Sequence, residues 1–150
     1  MWNRLRKYLS NEIVIEYKAC LYFFCLLVFY CVYLLWRNVY SASILYMVEM
    51  VLTSYIMGYL QNYVFHNFDE AERLGKKEVF GILCCTCIYT AVSFGFRWFE
   101  RNLRVTAMFF VFVFFSYVCI YLNNKIKRMI DTERLNGMLT EYKRREQDQE

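Results

Sequence analysis

Proline is absent from the 150-residue chain, histidine occurs once and glycine five times. A chain without proline lacks the residue that most often ends or kinks a helix. Charged residues make up only 21% of the chain and are missing from three windows of 18 residues, at 19–36, 79–96 and 105–122. A soluble domain of this length leaves a large share of its surface in water and cannot bury such blocks. The composition therefore excludes an ordinary soluble domain.

The residues that dominate the chain are apolar, with 59% hydrophobic and 21% aromatic. A fourth window, Ser41 to Phe65, is interrupted only by Glu49 and, near its end, by Gln61 and Asn62. A helix needs about 20 apolar residues to cross a membrane. We therefore predict an all-α membrane protein. Its four-helix transmembrane bundle covers residues 1–122, with spans near 15–36, 41–65, 79–98 and 105–122, and a cytoplasmic helical tail covers 123–150.

The basic residues of the connecting segments predict the orientation. A cleaved signal peptide is disfavoured, because the first apolar stretch is too long and no small-residue cleavage site follows it. Thirteen Lys or Arg residues lie in the N-terminus, the middle connection and the tail, against four in the other two connections. Basic loops stay on the cytoplasmic side. We expect a multi-pass protein of the bacterial cytoplasmic membrane, with both termini cytoplasmic, the helices paired into two hairpins and the fourth helix extended into the tail.

Small residues recur along two of the predicted spans. All seven cysteines fall in or beside apolar blocks, so we expect reduced packing residues rather than a disulfide framework. Cys84 and Cys87 form a C-x-x-C spacing, but a membrane oxidoreductase would need a second cysteine pair to pass electrons on. Small residues at fourfold spacing let membrane helices approach closely. The predicted helix-packing residues are Ser54, Gly58, Cys87, Ala91 and Gly95.

Glu49 is the one acid deep within a predicted span. If the second helix begins near Ser41, eight residues place Glu49 about 12 Å into the membrane. Acids at such depth are costly and often serve a proton or ion path. The alternative is a structural carboxyl that bonds a neighbouring Ser, Thr or Tyr. Both interpretations stay open on the sequence alone.

Motifs for catalysis or metal binding are missing from the sequence. His66 has Asp69 and Glu70 nearby, but a metal site needs three or four convergent ligands. The chain contains no glycine-rich phosphate loop, no hydrolase triad and no paired-carboxylate motif. We therefore predict that the protein is not an enzyme and uses no cofactor.

The tail is predicted to bind a protein. At about 100° per residue, Ile126, Met129 and Ile130 share one helix face, whereas Leu135, Met138, Leu139 and Tyr142 share nearly the opposite one. Either the helix bends between residues 132 and 137, or its two halves meet different partners. Acidic residues nearly balance the basic ones, unlike a surface that binds nucleic acid directly.

Two regions of the chain carry a family resemblance. One runs from Phe68-Asp69-Glu70 through the third span to Phe96-Arg97-Trp98-Phe99. The other joins Ile120-Tyr121-Leu122 to Lys125-Ile126-Lys127 and then to the segment Leu135-Asn136-Gly137-Met138-Leu139-Thr140-Glu141-Tyr142-Lys143. Together they resemble the bacterial four-helix membrane proteins of domain of unknown function family 3021, which are encoded beside LytTR-type regulators.

This resemblance implies a membrane-embedded regulatory protein that binds and restrains a cytoplasmic DNA-binding transcription regulator of LytTR type. The partner-binding residues would be Leu135, Met138, Leu139 and Tyr142, with Asp69, Glu70 and Glu72 as further contacts. One alternative is a small oligomeric transporter or pore with Glu49 in the transport path. Another is a membrane immunity or accessory subunit. Assembly into a homo-oligomer also stays open.

Overall fold

The computed structural model describes residues 2–65, 68, 71 and 74–147, and these form four α-helices without a strand. The helices are α1 (Trp2–Trp36), α2 (Ile44–Tyr63), α3 (Lys76–Gly95) and α4 (Leu103–Gln147). Each contains a stretch long and apolar enough to cross a membrane. The prediction of four apolar membrane-type helices is thereby confirmed.

The connection after α1 shows how a helix ends here without proline or glycine. Asn38 adopts a left-handed φ of 55°. The amide of Val39 donates to the carbonyl of Leu34 at 3.0 Å, and the amide of Asn38 donates to that of Leu35 at 3.0 Å. This pair of bonds is the Schellman motif, in which asparagine is the usual substitute for glycine. Helix α2 then begins at Ile44, with Ser43 as its N-cap, rather than near Ser41.

The connection between α3 and α4 is a tight turn rather than a continuation of the helix. The third span was expected to reach residue 98, but α3 ends at Gly95. Arg97, Glu100 and Arg101 have φ angles of 59°, 51° and 56°, in a region that non-glycine residues seldom occupy. This reversal directs Trp98 into the bundle, where it is 1% exposed. An amphipathic ring at the end of a span is typically found at the membrane interface, so its burial was not expected.

Aromatic rings fill the bundle at two levels. Near the α3–α4 turn, Phe99 packs against Phe29, Tyr33 and Phe109, with ring centroids 5.0–5.4 Å apart. At the other level, Tyr117 of α4 lies 5.1 Å from the ring of Tyr22 in α1. Edge and tilted contacts of this kind add to the stabilisation from burial itself. Elsewhere, most large side chains of the apolar segments point outward, as expected in lipid.

Candidate functional sites in the bundle and the tail

The structure places the two short connections at one end of the bundle, here named the loop end. Arg37, just after α1, pairs with Glu100 of the α3–α4 turn. The guanidinium also donates to the Tyr33 hydroxyl at 3.2 Å. The Glu100 carboxylate and this second bond hold the pKa of Arg37 above its ordinary value. Both charged side chains are about half exposed or more, so the pair fixes geometry more than it stabilises.

Glu49 lies near this loop end and binds the α3–α4 turn. Its carboxylate accepts a hydrogen bond of 2.9 Å from the indole nitrogen of Trp98. Because α2 begins at Ile44, Glu49 lies only five residues, or about 7.5 Å, along the helix. Glu49 is therefore closer to the helix start than the sequence predicted, and its partner is tryptophan rather than Ser, Thr or Tyr. This contact favours the structural interpretation of Glu49.

The interior of the bundle contains a group of buried polar side chains, here named the polar layer, that the sequence analysis missed. Ser54 and Gln61 of α2, Tyr89 of α3 and Tyr117 of α4 are each at most 1% exposed. The Tyr22 hydroxyl of α1 donates to the Gln61 side-chain oxygen. The Ser54, Tyr89 and Tyr117 hydroxyls and the Gln61 nitrogen make no hydrogen bond of standard geometry in the described part of the chain, although the Ser54 and Tyr117 hydroxyls lie close enough to that of Tyr89 to interact with it. Each such group costs about 1–3 kcal/mol.

A tyrosine in an apolar window does not by itself predict that its hydroxyl is buried among other polar groups. The relevant signal was the shared helix face of Ser54 and Gln61, seven residues apart and therefore two turns along the same side of α2. A polar face on a membrane helix usually points toward other helices. The sequence analysis treated Gln61 only as an interruption near the end of the window.

The predicted packing residues divide into two groups in the structure. Ser54 is 0% exposed, and a side chain added at Gly58 would lie 3.4 Å from Ile15 and 3.9 Å from Ala19 of α1. Gly58 therefore lies at the contact between α1 and α2, and Ser54 is buried inside the bundle.

The α3 residues of the predicted seam, Cys87, Ala91 and Gly95, lie on an exposed face of α3. A side chain added at Gly95 would meet no atom within 4 Å. These three residues point away from the other described helices, and their packing role stays a prediction. The buried face is roughly opposite and comprises Gly81, Ile82, Cys85, Thr86, Tyr89 and Ser93. All seven cysteines lie in the described part of the chain and are free thiols.

The other end of the bundle, here named the terminal end, collects the start of α1, the middle connection and the point where α4 leaves the apolar bundle. Tyr59 donates to Glu12 of α1 at 2.7 Å. Arg128 of α4 donates to the carbonyl of Ala71 at 2.9 Å. Phe68 is 2% exposed, with its ring 5.6 Å from that of Tyr117. The middle connection is thus held at two described points.

The predicted acidic contacts of the middle connection, Asp69, Glu70 and Glu72, lie outside the described residues, as does His66. The structure therefore leaves their predicted roles as predictions.

Beyond Arg128, which bonds Ala71, the tail presents a long exposed helical surface. Helix α4 continues for 25 residues beyond Leu122 to Gln147, which is about 37 Å. Residues 131–145 are all exposed. The predicted docking residues Leu135, Met138, Leu139 and Tyr142 are 52–65% exposed and occupy about 100° of the helix circumference. Since α4 runs without a break through residues 132–137, its two exposed apolar faces form two separate surfaces.

Comparison with known proteins adds no family to this description. No protein-family model, curated protein or solved structure matches the chain. The resemblance to family 3021 therefore stays a prediction from the motifs quoted above.

Proposed function

We propose that the chain is a membrane-embedded regulatory protein whose tail binds and restrains a cytoplasmic DNA-binding regulator of LytTR type. The observation that carries the proposal is the exposed apolar face of Leu135, Met138, Leu139 and Tyr142 on a continuous helix. Helical residues at this spacing form the anchors of helix-in-groove recognition. The identity of the regulator rests on the family resemblance.

The contacts at the terminal end support the proposed topology. The hydrogen bond from Tyr59 to Glu12 joins α2 to α1. The bond from Arg128 to Ala71 joins α4 to the middle connection. Helix α1 packs mainly against α2, and α3 mainly against α4, which supports two hairpins. With thirteen basic residues in the segments assigned to this end, both termini and the tail belong in the cytoplasm.

The regulator is restrained in this proposal because the tail anchors it at the membrane. A regulator held on a helix that extends about 37 Å beyond Leu122 stays near the membrane and away from DNA in the cell interior. The bundle needs no catalytic site for this role. It has to anchor α4 and present the tail.

Co-purification from detergent tests the proposal. The intact chain is expected to retain a co-expressed LytTR-type regulator, and Leu135→Glu with Leu139→Glu is expected to lose it, because two charges cannot enter an apolar groove. Ile126→Glu with Ile130→Glu is the matched control, since these exposed residues lie on the other face of the tail.

Promoter activity is the second readout. Loss of binding is expected to release the regulator and change transcription from its target promoter, while the control pair leaves it unchanged. Undiminished regulator binding by the Leu135 and Leu139 variant would contradict docking through this face.

A further inference from the structure

The outward side of α4 carries a continuous apolar stripe, here named the α4 seam. Its large residues are each 46–61% exposed and fall within about 100° of the helix circumference. They are Met108, Val111, Phe115, Leu122, Ile126, Met129 and Ile130. The buried residues of α4, such as Phe109 and Tyr117, lie on the opposite side and face the bundle. The α4 seam therefore points away from the bundle.

Lipid accounts for only the first part of the α4 seam. The apolar window of α4 ends at Leu122, and the headgroup layer beyond the hydrocarbon region is about 5–7 Å thick. For a helix near the membrane normal, Met129 and Ile130 lie about 10–12 Å beyond Leu122. Both side chains are 57% exposed, at a level where water rather than lipid surrounds the helix.

The polarity of α4 beyond the membrane is the reverse of that of a helix packed on its own bundle. The bundle-facing side becomes polar at Asn124 and Arg128, and Arg128 bonds the middle connection. The apolar residues Ile126, Met129 and Ile130 lie on the outward side. In water, the apolar face of a helix is buried against another surface. A surface outside the described chain is therefore needed to cover this end of the α4 seam.

A second copy of α4 has the form that this surface requires. The occupant has to be apolar through the membrane and to stay apolar for two further turns at the same depth. Copies inserted in one membrane share their orientation, so two α4 helices run parallel and place the same residues at the same level. A twofold interface is self-complementary in this way. Within the seam, the small and exposed Cys119 lets the two helices approach closely.

The size of the α4 seam also suits a dimer. A half-exposed large apolar side chain offers roughly 100 Å². The seven large residues of the α4 seam, taken from two copies, cover on the order of 1,200 Å² or more, which is the size of a specific interface. Glu133 follows on the same side of the helix and ends the apolar stripe.

We propose that the chain forms a parallel homodimer through the α4 seam. Phe115 and Leu122 contact the same residues of the second copy within the membrane, and Ile126 and Met129 do so beyond it. The face formed by Leu135, Met138, Leu139 and Tyr142 lies on the opposite side of α4 and stays exposed on each copy. The dimer is therefore independent of the proposed regulator.

Fluorescence energy transfer between donor-tagged and acceptor-tagged copies of the full chain in detergent tests the proposal. Transfer is expected to rise to saturation as the ratio of protein to detergent increases. Ile126→Glu with Ile130→Glu is expected to weaken dimerisation at least tenfold, because the carboxylates would be buried in the interface without partners.

Leu135→Glu with Leu139→Glu is the matched control, since it makes the same chemical change on the opposite face, and it is expected to stay within twofold. The two pairs exchange roles between this experiment and the regulator test. Failure of the dimer and failure of regulator docking are therefore distinguishable.

Crosslinking in membranes gives a second measurement that adds no charge. Ile126→Cys, oxidised with copper phenanthroline, is expected to give a covalent dimer above the background of the wild type. Asp131→Cys is the control, because Asp131 is exposed but lies on the bundle-facing side of α4. Absence of energy transfer in the wild type overturns the proposal, as does undiminished transfer by the Ile126 and Ile130 variant. Equal crosslinking of the two cysteine variants also overturns it.

Discussion

The hydrogen bond from Trp98 to Glu49 is expected to couple the α3–α4 turn to α2 by about 1.5–3 kcal/mol, the range for hydrogen bonds to charged groups. The indole belongs to a side chain that is 1% exposed, and the bond measures 2.9 Å. Trp98→Phe removes the hydrogen-bond donor and also reduces the volume of the ring. Glu49→Met removes the acceptor and also the desolvation cost of a carboxyl group within the membrane. Neither single change isolates the bond.

A double-mutant cycle removes these side effects, because the losses that each variant suffers alone cancel. The free energy of unfolding is measured for wild type, both single variants and the double variant in mixed micelles of rising dodecyl sulfate content. Far-ultraviolet circular dichroism is the readout, since fluorescence changes when a tryptophan is replaced. Trp36→Phe serves as the control for the substitution itself, because Trp36 is 71% exposed.

A coupling free energy below about 0.5 kcal/mol would show that Trp98 and Glu49 do not form the bond described here, since independent sites add within about that margin. Glu49 would then need another partner or a path to water. The transport interpretation would gain weight from that result.

The remaining predictions use the same unfolding measurement or a topology assay. Gly58→Leu is expected to cost about 1–3 kcal/mol by overpacking against α1, while Gly95→Leu, with open space around it, is expected to cost nothing measurable. Tyr117→Phe removes a buried hydroxyl that makes no hydrogen bond of standard geometry and is expected to be neutral or stabilising, whereas Tyr22→Phe breaks the bond to Gln61 and is expected to cost about 1 kcal/mol. Green fluorescent protein fused after Gln147 is expected to fluoresce, and alkaline phosphatase fused there to be inactive; the opposite pattern would place the tail outside.

The four helices could be predicted from the sequence because lipid selects for composition over long windows, and composition can be counted without knowing any contact. The residues at which the helices begin and end were harder to predict. The left-handed residues Asn38 and Arg97 follow the ends of α1 and α3. No proline marks either end, and a glycine stands only at the end of α3.

The faces of the helices were the least predictable feature. Helix α3 carries apolar and small residues on all sides, so its periodicity did not separate the buried Cys85 and Tyr89 from the exposed Cys87 and Ala91. In a soluble protein, an apolar helix face points toward the core, but in a membrane protein an apolar face can point toward the other helices or toward lipid. Ser54 and Gly58 were easier to assign, because α2 carries polar and small residues on one side.

The burial of Trp98 could not be predicted for a different reason. An indole at the end of a span suits the membrane interface, and only the three-dimensional path of the turn brings it to Glu49. The acid and its donor lie 49 residues apart in the sequence.

The uninterrupted length of α4 has a mechanical consequence. A helix that makes a screw motion of one residue rotates by about 100° about its axis and advances by about 1.5 Å along it. Because no break separates Leu103 from Gln147, such a screw motion within the membrane turns the Leu135 to Tyr142 face through the same angle. A rotation of α4 at the level of Tyr117 would therefore also reorient this face, about 3 nm along the helix, and would break the bond from Arg128 to Ala71.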